Sequence, residues 1–312
     1  MHDSRNNHYV PQFYLRNFAV DPERKKITTV GKNGRFAVWK IRSIKELGYE
    51  RDLYVSFRRG VPVSREETIN SRIETPISES DTWAKIASGR TDTLDQSDKP
   101  ILYALIRHFE VRTPHYHASM GRLARLAVSE NSPIPFTEYE RGYYARSLAN
   151  PELAKSRLDQ MAASLDWTEE EYAGCGISIW RSPITLRSST IPVMVLPTPA
   201  HPALRLPLPG MVPFQRVLPL NKTTVASLVV GNFADGFENQ EIDVEVARIV
   251  NLRCVGLFAY FDEEVRHLIT DRGDDLVADM TWAPYELVED TPRRMSFRRR
   301  TEAARTGEPP SS

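Results

Sequence analysis

The chain has 312 residues, 41% hydrophobic and 26% charged, with 41 Lys/Arg balanced by 41 Asp/Glu. These values exclude a collagen-like, disordered or disulfide-scaffold composition and leave an ordinary globular protein of one large or two small domains. No run approaches the ~18 apolar residues of a membrane span, no apolar signal core is seen at the N-terminus, and Cys175 and Cys254 are too isolated for a disulfide framework or a zinc site, so two reduced, buried thiols, a cytoplasmic location and no membrane partner are expected.

The charge is unevenly spread. Residues 1–60 hold 13 Lys/Arg and 6 Asp/Glu, a net of +7, and residues 291–312 hold 6 and 2, a net of +4, which leaves −11 between them. Such basic ends suit nucleic acid or another phosphate-bearing partner. The pI of 7.1 is nevertheless below that of a dedicated nucleic-acid binder.

In chain order, the first dense stretch is Asn7 to Phe18, NHYVPQFYLRNF. Pro11 disfavours helix at Val10 and can itself begin one. A short helix follows, with Tyr14 and Phe18 an i, i+4 aromatic pair and Gln12 and Arg16 an i, i+4 polar pair. Asn33-Gly34 between the β-prone runs Lys26–Val30 and Phe36–Ile41 predicts a hairpin. Ser43 to Glu46 has capping-box spacing, and Gly48 is a natural stop.

From Ser64 the pattern becomes helical. Ser64 and Glu67 suggest a second capping box, and Ile69, Ile73 and Ile77 recur at four-residue spacing, with Pro76 forcing a kink or restart. Asp98 and Pro100 open an amphipathic helix carrying Leu102, Leu105, Ile106 and Phe109. Thr113 caps the next, with Pro114 at its first position. Further helices are predicted over 138–148 and 151–165.

After Gly174 the chain turns to strands: Ile177–Trp180, Ile191–Leu196, Val212–Leu220 and Thr224–Val230. A proline-rich loop separates the second and third. Glu241–Arg253 reads as a helix, Val255–Phe261 as a central strand, and Asp262 as the cap of a last helix with Val265, Leu268 and Ile269. From Thr291 an Arg-rich disordered tail is expected.

HYVPQFYLRNF resembles the opening signature of a bacterial family known only as a domain of unknown function. Gly48–Tyr54 (GYERDLY), Ile73-Glu74, Arg112-Thr113-Pro114 and Asn251 resemble later landmarks of that family, in order. Its Ser-Asp-Asn-Pro-Val motif has its nearest match at Ser189-Thr190-Ile191-Pro192-Val193, where the Asp and Asn are replaced. The resemblance implies no activity.

No Walker loop, Gly-x-Ser-x-Gly, His-Glu-x-x-His, zinc pattern or Rossmann fingerprint occurs, and no cofactor or metal is expected. His115 and His117, two apart on a helix, would not face the same way. The candidate site is instead a polar cluster. His8, with Glu74 or Asp52 as the carboxylate that the resemblance implies beside it, could perform acid–base chemistry on a phosphodiester. Gln12, Arg16 and Arg112 could bind an anion, Arg112 beside the free N–H groups of a helix start. Asn251 is a binding or capping amide.

The expectation is an α+β fold with an N-terminal β-hairpin segment, a helical middle and a mixed β-sheet in the C-terminal half. The divisions expected are 1–60, a helical section 61–173, a mixed section 174–290 sharing one core with 1–60, and a disordered basic tail 291–312. Three functions stay open: an intracellular protein binding a phosphate-bearing partner such as nucleic acid, a nuclease-like hydrolase using His8, and a non-catalytic protein-interaction module.

Overall fold

The computed structural model describes residues 6–58, 60–163, 168–197, 214–231, 233–261 and 264–300. A short strand, β1 (Asn6–His8), leads through Pro11 into helix α1 (Gln12–Leu15), which tightens into a 3-10 turn at Arg16–Phe18. Tyr14, Leu15 and Phe18 are buried. Asn33-Gly34 turns the hairpin of β2 (Lys26–Asn33) and β3 (Phe36–Ser43), with Gly34 at φ +58°. In β3 both faces are covered, so burial does not alternate: Ala37, Val38 and Trp39 are all buried.

The Ser43 side chain accepts from the Lys45 N–H at 3.3 Å and starts a 3-10 turn at Ile44–Glu46. Gly48 follows at φ +60°, where a Cβ would stand 2.5 Å from the Val10 Cβ. Its carbonyl accepts from the Tyr9 and Val10 N–H groups at 2.8 and 3.0 Å. Glycine here is therefore required twice, by its left-handed backbone and by the close approach of Val10. Strand β4 (Tyr49–Arg51) pairs antiparallel with β1, and β5 (Val55–Arg58) with β6 (Val61–Ser64).

Helix α2 (Glu66–Ile69) continues through a π turn at Asn70–Glu74 into α3 (Thr75–Ser78). Pro76 has no N–H and its ring would strike the carbonyl four residues back, so the wider turn upstream accommodates it without ending the helix. Ser64 bonds the Glu66 N–H at 3.3 Å, one residue short of the expected box. Helix α4 (Asp81–Ala87) and two 3-10 turns precede α5 (Lys99–Val111). Asp98 does not cap α5 with its side chain. Its carboxylate accepts instead from Thr82 Oγ1, Lys85 Nζ and the Asp95 N–H, at 2.7, 2.7 and 2.8 Å. Thr113 caps α6 (Pro114–Val128) as expected, accepting from the Tyr116 N–H at 3.2 Å. Helices α7 (Glu138–Ala149), α8 (Pro151–Ala163) and α9 (Glu169–Ala173) complete the helical middle.

The second half supplies strands β7 (Cys175–Arg181), β8 (Ser188–Ser189), β9 (Met194–Pro197), β10 (Phe214–Pro219), β11 (Thr224–Val230) and β12 (Gly236–Glu241). Helix α10 (Val244–Tyr260), β13 (His267–Ile269), α11 (Asp274–Trp282), β14 (Tyr285–Thr291) and β15 (Arg294–Arg299) follow. A five-stranded sheet runs β12-β7-β11-β10-β9, with β12 parallel to β7 and the rest antiparallel. A six-stranded sheet runs β14-β15-β3-β2-β13-β8, so the N-terminal hairpin is its centre and late strands flank it. The fold is α+β.

Three expectations are corrected. Val255–Phe261 is not a strand: Val255 to Tyr260 is the end of α10, where Cys254, Val255 and Phe258 fall on a buried face. Val265, Leu268 and Ile269 do not form a helix, because His267–Ile269 pairs with β2. The tail does not begin at 291, since β15 pairs with β3 and buries Met295 and Phe297. Asp262, most of the proline-rich loop and residues 301–312 lie outside the described residues.

Two apolar clusters hold the layers. One joins Tyr14 and Phe18 of the opening segment to Phe109 of α5 and to Ile177 and Leu228 of the five-stranded sheet. The other packs Phe258 of α10 and Met280 of α11 between Trp39 and Phe297 of one sheet and Val217 of the other. Each such side chain, fully buried, contributes roughly 1.5–3 kcal/mol relative to exposure.

Candidate functional site

The opening signature is pinned from both sides. Tyr14 Oη lies 2.8 Å from Ser188 Oγ and donates to the Pro219 carbonyl at 2.8 Å. Burial pushes the Tyr9 phenol up to about 12, against the nearby Arg266 charge and a hydrogen bond to Thr190 that favour ionisation. The segment Ser188–Thr190, which includes the first two residues of the altered late motif, is therefore packed directly beneath the signature.

Arg112, at the end of α5, is 1% exposed and organises the site. Its Nε donates to Tyr54 Oη at 3.0 Å, and the same hydroxyl donates back to the Arg112 carbonyl at 3.0 Å. Nη1 donates to Glu74 Oε1 and to His108 Nε2, the latter at 2.6 Å. Nη2 donates to the His8 carbonyl. Glu74 comes from the π turn, a local widening often found at functional sites. One guanidinium thus ties β1, the Tyr54 turn, the α2–α3 helix and α5 together. A buried charge requires such pairing, since an unpaired one costs several kcal/mol, roughly 3–5 when a partner is removed.

His8 is half-buried. Its Nδ1 donates to the Leu47 carbonyl at 3.2 Å, which leaves the Nε2 lone pair as acceptor for the Gln12 amide at 3.3 Å. Burial holds the imidazole below its ordinary pKa of 6.5. The Leu47 carbonyl and Glu74 pull the other way, and Arg112 adds to the lowering. The result is a neutral ring of fixed tautomer with its basic nitrogen beside a half-exposed amide.

His108 is wholly buried. Burial first, then Arg112, keeps it neutral, well below 6.5. Its Nε2 accepts from Arg112, so Nδ1 carries the proton, and that N–H is buried without a partner among the described residues. An unmade hydrogen bond of this kind costs about 1–3 kcal/mol. Tyr54 is also wholly buried, and burial raises its phenol, opposed by Arg112.

Of the residues singled out from sequence, His8, Gln12, Glu74 and Arg112 are brought together. Arg16 is exposed, and among the described residues its side chain makes no hydrogen bond to the network; its carbonyl accepts from Arg24 Nε at 3.0 Å. Asp52 sits at φ +54° in the turn before Leu53, its carboxylate 3.9 Å from Arg51 Nε, and among the described residues it makes no hydrogen bond to His8 or Glu74. Asn251 belongs elsewhere: its Oδ1 accepts from the Arg187 N–H at 2.8 Å and its Nδ2 donates to the Thr185 carbonyl at 2.9 Å, lining a cavity of about 480 Å³ floored by Arg187. Tyr54 and His108 were missed as members of the cluster. The signal for His108 was its i, i+4 spacing from Arg112; Tyr54 closes the GYERDLY landmark.

Among the described residues no three His, Cys, Asp or Glu side chains converge as a metal site, and no helix is long and apolar enough to cross a membrane. Cys175 and Cys254 are free and buried. Residues 6–189 match the family described as Protein of unknown function (DUF4238), and the chain belongs to that family. The matched region contains the whole His8–Tyr54–Glu74–His108–Arg112 network and ends before Asn251. No curated protein and no solved structure matches the chain.

Proposed function

We propose that the protein is a hydrolase acting on a phosphate-bearing substrate, a nucleic-acid phosphodiester foremost, with His8 as general base. The observation that carries this reading is the neutral His8 ring, fixed by the Leu47 carbonyl with Nε2 free to exchange its Gln12 contact for a water. Simple anion binding is less well supported, because the buried cation of the cluster is already matched by Glu74. In the proposed reaction His8 Nε2 takes the proton of the attacking water as its oxygen forms the new P–O bond, the P–O bond to the leaving alcohol breaks, and the protonated His8 returns that proton to the leaving oxygen. The Glu74 charge favours the transient imidazolium. Arg112 acts as a positioning residue, and the exposed cations of residues 1–60, such as Arg16, attract the substrate.

The test is hydrolysis of single- and double-stranded oligonucleotides and of bis(p-nitrophenyl) phosphate. Loss of a general base lowers the rate on the order of 10²–10⁴-fold, so His8→Ala should fall by that factor while keeping the wild-type melting profile. No turnover of any of these substrates, or full activity in His8→Ala, would remove the hydrolase reading.

A second reading, a non-catalytic interaction module with the signature as a strut, draws on the near-complete internal use of the Arg112 guanidinium. It predicts salt-sensitive capture of a phosphate-bearing partner without turnover, and partner binding indifferent to His8→Ala.

A further inference from the structure

Helices α6, α7 and α8 leave much of their apolar surface uncovered. Nothing in α7 is buried, and α6 buries only Ala124 and Ala127. Tyr143, Leu148 and Met161 are 40%, 38% and 48% exposed. A surface helix normally hides such a stripe. Here the three helices enclose a groove of about 640 Å³, the size of a small-molecule site, with Tyr116, Met120, Tyr144 and Leu158 among its walls.

The polar groups of this groove are of two kinds. Lys155 is committed: its Nζ donates to the Leu53 and Val55 carbonyls at 2.6 and 2.8 Å and to Asp159 at 2.9 Å. Arg125 and Arg157 are not. Among the described residues neither guanidinium has a hydrogen bond or ion pair, and Arg157 only lies over the Tyr143 ring, 5.8 Å from its centroid. The one acid in the lining is the exposed Glu152. His117 adds a third feature, since its Nε2 is buried in the wall with no partner among the described residues.

Aromatic walls, an orphaned imidazole nitrogen and two free arginines at the mouth complement one kind of ligand. We propose that the α6–α7–α8 groove binds a planar aromatic anion, the chemical class of a nucleoside monophosphate. The ring lies among Tyr143, Tyr144 and Met120, a ring heteroatom meets His117 Nε2, and the anionic group pairs with Arg125 and Arg157. This site is separate from the His8 cluster and does not depend on its chemistry.

The experiment is calorimetric titration of the full chain with adenosine monophosphate and with anilinonaphthalene sulfonate. Adenosine supplies the ring without the anion, and inorganic phosphate the anion without the ring. Saturable binding of at least one aromatic anion, one per chain and tighter than either fragment, is expected. Arg125→Ala and Arg157→Ala should each weaken it roughly tenfold, and Ala154→Trp, which fills the groove, should abolish it. Both arginines are exposed, so melting curves matching wild type will show that their variants are folded. Failure of both aromatic anions to bind, binding indifferent to all three substitutions, or a dimer in solution dispersed by Ala154→Trp would overturn the proposal, the last by assigning the groove to a second copy.

Discussion

The signature cluster and the helical groove both gather arginine, histidine and tyrosine, yet they satisfy them in opposite ways. In the cluster, Arg112 is buried and nearly every donor has an internal acceptor. In the groove, Arg125 and Arg157 are exposed and have no ion pair among the described residues. A charge taken out of water must be paired by the fold, whereas a charge at a rim can wait for a ligand. The comparison shows Arg112 holding the cluster together and leaves His8, half-buried at its edge, as the residue proposed to meet a substrate.

The comparison can be broken most directly by stability. Arg112→Ala strands Glu74 and leaves Tyr54 and the His8 carbonyl without their donor. It should lower the unfolding free energy in urea by about 3–5 kcal/mol, while Arg125→Ala changes it by less than about 0.5 kcal/mol. Equal effects would erase the distinction.

The next effect is acid lability. Burial lowers the pKa of His117 to about 4 and of His267 to about 3, from an ordinary 6.5, and holds His108 low as well. In each case the unfolded chain binds the proton first. Stability should therefore be full above about pH 6.5 and fall as pH drops from there towards the folded pKa values. Urea titrations between pH 7 and pH 4 check this, and His117→Gln should flatten part of the slope. A protein equally stable across that range would contradict the buried, neutral histidines.

Tyr14→Phe sharpens the account of how the signature is docked. It removes the hydroxyl shared by Ser188 and the Pro219 carbonyl, both buried, and should cost about 1–3 kcal/mol. Arg16→Ala, at the exposed end of the same segment, should alter stability by no more than about 0.5 kcal/mol, yet reduce any salt-sensitive attraction of a phosphate-bearing substrate. A larger stability loss at Arg16 than at Tyr14 would reverse the assignment of the two faces.

Local punctuation was the most legible part of the fold. Asn33-Gly34, Thr113-Pro114 and Gly48 each specify their own backbone, and each does in the structure what its chemistry requires. What misled was apolar density without context. Val255–Phe261 is apolar enough for a central strand, but a short apolar run does not distinguish a strand from a buried helix. Val265, Leu268 and Ile269 have helical spacing, and pairing with the distant β2 overrides it. The arginines of Arg294–Arg299 suggested a disordered tail, although Met295 and Phe297 already alternate with polar positions and both are buried.

The site was legible only in outline. His8, Gln12, Glu74 and Arg112 could be gathered because the family resemblance sets them in order, not because spacing places them together. Arg112 meets Glu74 across 38 positions and His8 across 104. Such convergence is a product of the tertiary fold, and no local pattern encodes it. Tyr54 and His108 stayed hidden because an isolated tyrosine in a turn, or a histidine on an apolar helix face, is ordinarily packing.

The central claim is that His8 is a neutral imidazole, protonated on Nδ1, with a basic Nε2 directed at a substrate. Long-range proton–nitrogen correlation NMR of the His8 ring at pH 7 reads this directly. The account predicts the neutral Nδ1–H tautomer, titrating below 6.5, with the Nε2 resonance moving when an oligonucleotide is added. An imidazolium at pH 7, or the Nε2–H tautomer, would contradict it.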